Sequence, residues 1–167
     1  MTTHETRTGA EMVRDVFNEY VAALDGIDVL TSALDMLDAR NMELTLRNAR
    51  TAARAFTQDP TERKNALRVI DDTEHATTEP EDSVAMAYFE DILEAVIHGQ
   101  RTLGGEWRAT ELEFLLAYGG PTVRMTNNGS AEYVRLTVTW AGDEHSARVY
   151  APATAAFMSE MLDAYAE

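Results

Sequence analysis

Apolar residues recur with helical spacing through the first half of the chain. From Ala10 they fall at Met12, Val13, Val16, Phe17, Tyr20, Val21 and Leu24, which predicts a helix with one buried face. Residues 1–8 read as a flexible tail, and Gly26 reads as the end of the helix. A second helix is expected from about Asp28, with Leu30, Ala33, Leu34 and Leu37 inward, running through Asn41 or breaking there. A third carries Leu44, Leu46, Ala49, Ala52, Ala53 and Phe56. Asp59-Pro60-Thr61-Glu62 is a helix start: Asp59 can cap, Pro60 suits the first turn and Glu62 can reach back. That helix carries Ala66, Leu67 and Ile70 and is expected to end near Asp71, with a polar loop from Asp72 to Glu81. A further helix is expected from Glu81-Asp82-Ser83, with Met86, Phe89, Leu93, Val96 and Ile97 inward. Glu90, Asp91 and Glu94 would lie on its outer face, and Gly99 would end it, with Gly104-Gly105 as a second break.

The period changes after Trp107. Leu112 to Tyr118 is an apolar run closed by Gly119-Gly120-Pro121, and Thr122 to Thr126 is short and β-branched at its start. Asn127-Asn128-Gly129 signals a turn. Tyr133 to Trp140 alternates, with Val134, Leu136, Val138 and Trp140 on one face. Gly142-Asp143 predicts another turn before a strand from Ser146 to Tyr150. Pro152 opens a last helix with Ala156, Phe157, Met161, Leu162 and Tyr165 inward. The expected fold is therefore α+β: a helical region over 9–105, then a three- or four-stranded antiparallel sheet and a C-terminal helix over 106–167, in one continuous domain.

Charge changes this picture most. The net charge is −15 over 167 residues. Nine acids, Asp71, Asp72, Glu74, Glu79, Glu81, Asp82, Glu90, Asp91 and Glu94, fall in one stretch without a Lys or Arg. The preceding segment, Arg40 to Arg68, sums to +4. Such polarity predicts a positively charged partner and argues against direct nucleic-acid binding, which needs cations to displace counterions from phosphates. Arg47, Arg50 and Arg54 share one helical face and offer a self-association or anion-binding patch, from which a homodimer could be built. The contrary reading is salt adaptation: Lys64 is the sole lysine, and halophilic chains are acidic and Lys-poor. The uneven distribution of charge speaks against it, and a GC-rich genome also favours Arg.

Catalytic chemistry is not signalled. The chain has no Cys, hence no disulfide framework or thiol nucleophile, and no phosphate loop, dinucleotide fingerprint, nucleophile elbow or HExxH. His4, His75, His98 and His145 are scattered, and a His98–His145 metal pair is weaker than the reading of each as an ordinary surface histidine. Asp71-Asp72-Thr73-Glu74-His75 lacks the Gly and Glu of an EF-hand loop and reads as solvated. Gly119-Gly120-Pro121 reads as a tight strand link rather than an anion nest. No enzyme activity, cofactor or metal is expected. The polar N-terminus and the lack of a long apolar run predict a cytoplasmic protein with no membrane partner.

The segment Glu111-Leu-Glu-Phe-Leu-Leu-Ala-Tyr-Gly-Gly-Pro-Thr-Val-Arg-Met125 resembles a strand–GGP–strand segment of small proteins from phages, plasmids and integrated elements. The resemblance covers about residues 108–150, and Tyr133 to Trp140 fits it loosely. It implies a mobile-element origin. Small acidic proteins of such elements include anti-restriction and anti-CRISPR inhibitors, which present carboxylates in place of phosphates. The resulting expectation is a non-enzymatic inhibitor of a host defence nuclease complex, an anti-CRISPR protein. Its acidic stretch would block the basic nucleic-acid-binding surface of a CRISPR effector or restriction enzyme. The alternative is a homo-oligomeric structural or regulatory protein of a mobile element, or of a halophile, whose acidic surface serves solubility.

Overall fold

The computed structural model describes residues 8–38, 46–74 and 83–165. Helix α1 (Gly9–Asp38) begins with a reciprocal cap. The Thr8 backbone N–H donates to Glu11 Oε2 at 2.9 Å, and the Glu11 N–H donates back to Thr8 Oγ1 at 3.3 Å. Thr8-x-x-Glu11 is thus a capping box that satisfies two of the helix's orphan donors. Thr8 belongs to the helix start rather than to a tail; residues 1–7 lie outside the described residues.

The helix does not stop at Gly26. It runs unbroken to Asp38, because Gly26 is the point where it crosses α3 (Pro60–Thr73). A Cβ on Gly26 would fall on the carbonyl oxygen of Asn65 and 2.8 Å from a methyl of Val69. Beside this contact Asn65 Nδ2 donates to Asp25 Oδ2 at 2.8 Å. The glycine serves close approach and not termination. α3 itself starts as expected, with Asp59 accepting from the N–H groups of Thr61 and Glu62 and Pro60 in the first turn. It runs on through Thr73, two residues beyond the expected end. Helix α2 (Leu46–Phe56) packs against both α1 and α3.

The largest departure lies between Ser83 and Arg101. The long helix expected there is a five-residue helix, α4 (Val84–Tyr88), capped by Ser83. Its chain turns at Phe89 and continues as strand β1 (Glu94–Arg101). The helical region therefore ends near residue 89 and not at 105. Phe89 is buried as expected, but Met86 and Leu93 are 43% and 60% exposed. Val96 and Ile97 point to opposite faces, as neighbours on a strand must. The physical reason is non-local: the following strand, β2 (Trp107–Ala117), would otherwise present an unpaired edge, and β1 pairs along it from Glu94 to Arg101. Gly99 lies within this strand, against the ring of Trp107, and does not end a helix.

Strands β3 (Thr122–Asn127), β4 (Tyr133–Trp140) and β5 (Asp143–Tyr150) complete a five-stranded antiparallel meander in the order β1-β2-β3-β4-β5. The expected three or four strands become five because the 94–101 segment joins the sheet. The fold class is α+β. Gly119-Gly120-Pro121 is the link between β2 and β3, with Gly119 at φ 94°. The Asn127 turn is built by a side chain: buried Asn127 accepts from the Gly129 N–H at 2.8 Å and donates to the carbonyls of Ser130 and Tyr133.

One sheet face is covered. Leu112, Phe114, Val123, Met125, Val134, Leu136 and Val138 are buried on it. Helix α1 packs over β4 and β5, while α5 (Pro152–Ala164) packs over β2, β3 and β4. On α5 the buried residues are Thr154, Ala155, Met158 and Leu162, whereas Tyr165 is exposed. Asp28 of α1 joins the two helices. Its Oδ1 accepts from the Ala153 N–H at 2.8 Å, which supplies an N-terminal cap that α5 lacks locally.

The β4–β5 turn carries a strained residue. Ala141 (φ 50°) and Gly142 (φ 90°) lie between the paired residues Trp140 and Asp143, so both central residues take the left-handed conformation of a type I′ turn. Alanine and asparagine both carry the Cβ that clashes there, but asparagine offsets the cost with a local side-chain hydrogen bond. Ala141→Asn is expected to raise stability by about 0.5–1 kcal/mol, read as a higher urea midpoint at unchanged slope. An unchanged or lower midpoint would contradict the turn assignment.

Candidate functional site

The acidic stretch is not a row on one helix. Asp71 and Asp72 lie in the last turn of α3, with Glu74 at its C-cap. Glu90 and Asp91 lie in the turn after α4, and Glu94 opens β1. The single outer helical face expected for Glu90, Asp91 and Glu94 is therefore absent, because that helix ends at Tyr88. Glu79, Glu81 and Asp82 lie outside the described residues, as do His4 and His75.

The tertiary fold nevertheless brings two parts of the stretch together. Asp72 and Asp91, 19 positions apart, line one pocket of about 230 Å3 with Tyr20, Tyr88, Phe89 and Ile92. Burial, and then the charge of Asp72, push the Tyr88 hydroxyl up to about 12. Burial, and then Glu19, raise Tyr20 as well. Both phenols therefore stay neutral hydrogen-bonding groups at physiological pH. The pocket combines neutral aromatic walls with two carboxylates at its edge. A Lys or Arg side chain suits such a lining, with its head between the carboxylates and its stem against the rings.

Three acids at the end of α3 oppose the helix macrodipole, which favours cations there, and no basic residue lies in that last turn. Neighbouring arginines compensate in part. Arg50 Nη2 reaches Asp71 Oδ1 at 2.8 Å and Glu74 Oε1 at 2.7 Å, and Arg68 Nε lies 3.9 Å from Asp72 Oδ2. These pairs are solvent-exposed and each contributes little, on the order of 0–1 kcal/mol. Arg50 thus spends its charge within the chain. Arg47 and Arg54 are exposed on the same helix. Among the described residues Asp91 and Glu94 have no salt-bridge partner.

His98 and His145 cannot share a metal. They sit on the two opposite edge strands, four strand spacings or roughly 19 Å apart. They also face opposite ways. His145 lies opposite buried Val138 and meets the Phe17 ring edge-on at 4.4 Å, while His98 lies opposite Glu111 on the other face. Among the described residues no three His, Asp or Glu side chains come together to hold a cation. None of the described helices is long and apolar enough to cross a membrane.

The fold also assembles a second charged region, apart from the acidic stretch and the Arg47/Arg50/Arg54 face. The sheet face turned away from the helices carries Arg124, Arg135 and Arg148 on β3, β4 and β5. Their signal is the repeated Arg at a polar position beside Val in three successive alternating segments, Val123-Arg124, Val134-Arg135 and Arg148-Val149. A meander necessarily brings such positions to one face. Compared with protein-family models, with curated proteins and with solved structures, the chain matches none of them.

Proposed function

We propose that the chain is a non-enzymatic binding protein whose acidic surface occupies the basic nucleic-acid-binding surface of a host defence nuclease complex, a CRISPR effector. The observation that supports this reading is the pocket edged by Asp72 and Asp91 and walled by Tyr20 and Tyr88. It joins charge that attracts a cation at long range to a cavity that receives its side chain. Acids at the wrong end of α3 weaken that helix locally, and local rules are broken most often where a surface serves binding. The partial resemblance to small mobile-element proteins points the same way. The cytoplasm of the host cell is where such a target would be met.

The test is relief of restriction. Expression of the chain in a cell that restricts phage by a CRISPR effector or restriction enzyme is expected to restore plating. Reversal of Asp72, Asp91 and Glu94 to Lys is expected to abolish that relief, since each change replaces attraction by repulsion. The variant should stay folded, because exposed substitutions typically cost within about 0.5 kcal/mol. Reversal of Arg47 and Arg54 to Glu is the control and should leave relief intact. The proposal fails if the acidic reversal is silent, or if the Arg reversal is the one that blocks relief.

A further inference from the structure

The open face of the sheet carries a charge arrangement that its own chain does not neutralise. Arg135 on β4 and Arg148 on β5 are direct cross-strand partners. Side chains so placed have Cβ atoms about 4.5–5.5 Å apart, and like charges there repel. Among the described residues neither guanidinium has a carboxylate within salt-bridge distance, whereas Arg124 on the same face reaches Glu113 at 3.6 Å. Arg148 is held in place by another contact: its guanidinium carbon lies 3.9 Å over the centre of the Tyr133 ring. Tyr133 in turn meets the ring of Tyr150 edge-on at 5.4 Å.

These residues enclose a pocket of about 250 Å3, lined by Glu111, Asn128, Ser130, Tyr133, Arg135 and Arg148 among others. Its floor is the sheet, and its rim is the turn that Asn127 organises. The Ser130 hydroxyl oxygen accepts from the Tyr133 N–H at 3.1 Å, which leaves its proton free to donate. We propose that this pocket binds a phosphoryl group, the dianion of a free phosphate or a small phosphate ester, between Arg135 and Arg148. Two planar guanidinium forks match the oxygens of phosphate and can each bind it through two hydrogen bonds. A dianion between them also turns their repulsion into attraction. The surrounding surface selects for a small ligand. Glu111 lines the pocket itself and confines an anion to its Arg135–Arg148 side, Glu113 and Glu94 lie farther out on the β1–β2 side, and Glu144 lies beyond the pair on β5. A long polyanion would have to cross those carboxylates, and the net charge of −15 would repel it.

The experiment is a titration of the intact protein with inorganic phosphate at constant ionic strength, followed by backbone amide NMR shifts. Saturable shifts are expected at residues 128–135 and 147–149, with a rise in Tm that grows with phosphate concentration. Chloride at matched ionic strength should reproduce neither. Arg135→Gln and Arg148→Gln should each weaken phosphate binding at least about tenfold. Arg148→Lys should weaken it less, and Arg124→Gln should leave it within about twofold, because that charge is already paired. Without phosphate, Arg135→Gln should not lower Tm, since it removes a repulsion. A purely structural role for Arg135 would lower it. A parallel titration with ribose 5-phosphate assigns the source: tighter binding than phosphate means an ester, equal or weaker binding means the free ion. Absence of saturable shifts in the wild-type protein, equal shifts with chloride, or undiminished binding by the double Gln variant would overturn the proposal. None of these outcomes depends on the acidic surface around Asp72 and Asp91.

Discussion

Gly26→Ala is expected to destabilise the protein, although the same change in most helices stabilises. In an exposed helix interior it gains about 1 kcal/mol. Here the new methyl would meet the Asn65 carbonyl oxygen, a backbone atom that cannot rotate away, and a methyl of Val69. α1 and α3 must then move apart, and overpacking of this kind costs typically about 1–3 kcal/mol. The sign of the net change therefore tests the geometry. Gly26→Val adds β-branching at the same crossing and should lose more, roughly 3 kcal/mol. Both are read from denaturant midpoints or from a Tm lowered by several degrees. A Gly26→Ala variant more stable than wild type would show that the helices do not meet at this point.

Asp28 should make stability depend on pH in the direction opposite to that of a salt-bridged carboxylate. Burial is the main cause that raises it from 3.8 to about 6, with Asp25 adding to the rise and the Ala153 N–H opposing it. Between these values the folded protein holds a proton that the unfolded chain has released. The folded state therefore binds more protons, and stability falls as pH rises through that window. The contribution is fully present below about pH 4 and lost above about pH 6. Asp28→Asn keeps an oxygen for the Ala153 N–H and cannot ionise. Relative to wild type it should gain stability from pH 4 to pH 7, and the difference should level off above that. Asp28→Ala also removes the cap and should cost about 1 kcal/mol at pH 5. A wild-type-minus-Asn difference that is flat over this range would place Asp28 in solvent.

Much of the outline was legible in residue order. Asp59-Pro60 started α3, the alternation of Val134, Leu136 and Val138 predicted the inner face of β4, and Pro152 opened α5. Thr8-x-x-Glu11 is equally legible as a capping box. At Gly26 two sequence signals conflicted. Glycine reads as a stop, yet Leu24, Ile27, Leu30, Leu34 and Leu37 keep one helical phase across it, and all are buried. The periodic signal was the better guide, because a buried stripe has to face one core while a glycine can serve either purpose.

Glu90, Asp91 and Glu94 show why the candidate site was harder to read. Met86, Phe89, Leu93, Val96 and Ile97 satisfy a helical period on paper, and a short apolar run cannot by itself distinguish helix from strand. The free edge of β2 made the choice. Pairing with it satisfies a row of backbone groups that no local pattern counts, and it moves the acids from one helix face to a turn and a strand end. Asp72 and Asp91 likewise line one pocket only because α3 and α4 pack together.

The sequence by itself determined the α+β class, most helix starts, the alternating strands and the segregation of charge, because these depend on residues within a turn or two of one another. Tertiary structure decided the fifth strand, the helix crossing at Gly26, the cap that Asp28 lends to α5 across 125 positions, and the apposition of Arg135 and Arg148. Each of these joins groups distant along the chain. Their free energy comes from pairing a backbone edge, closing a gap or desolvating a charge, and none of those terms exists until the chain has folded.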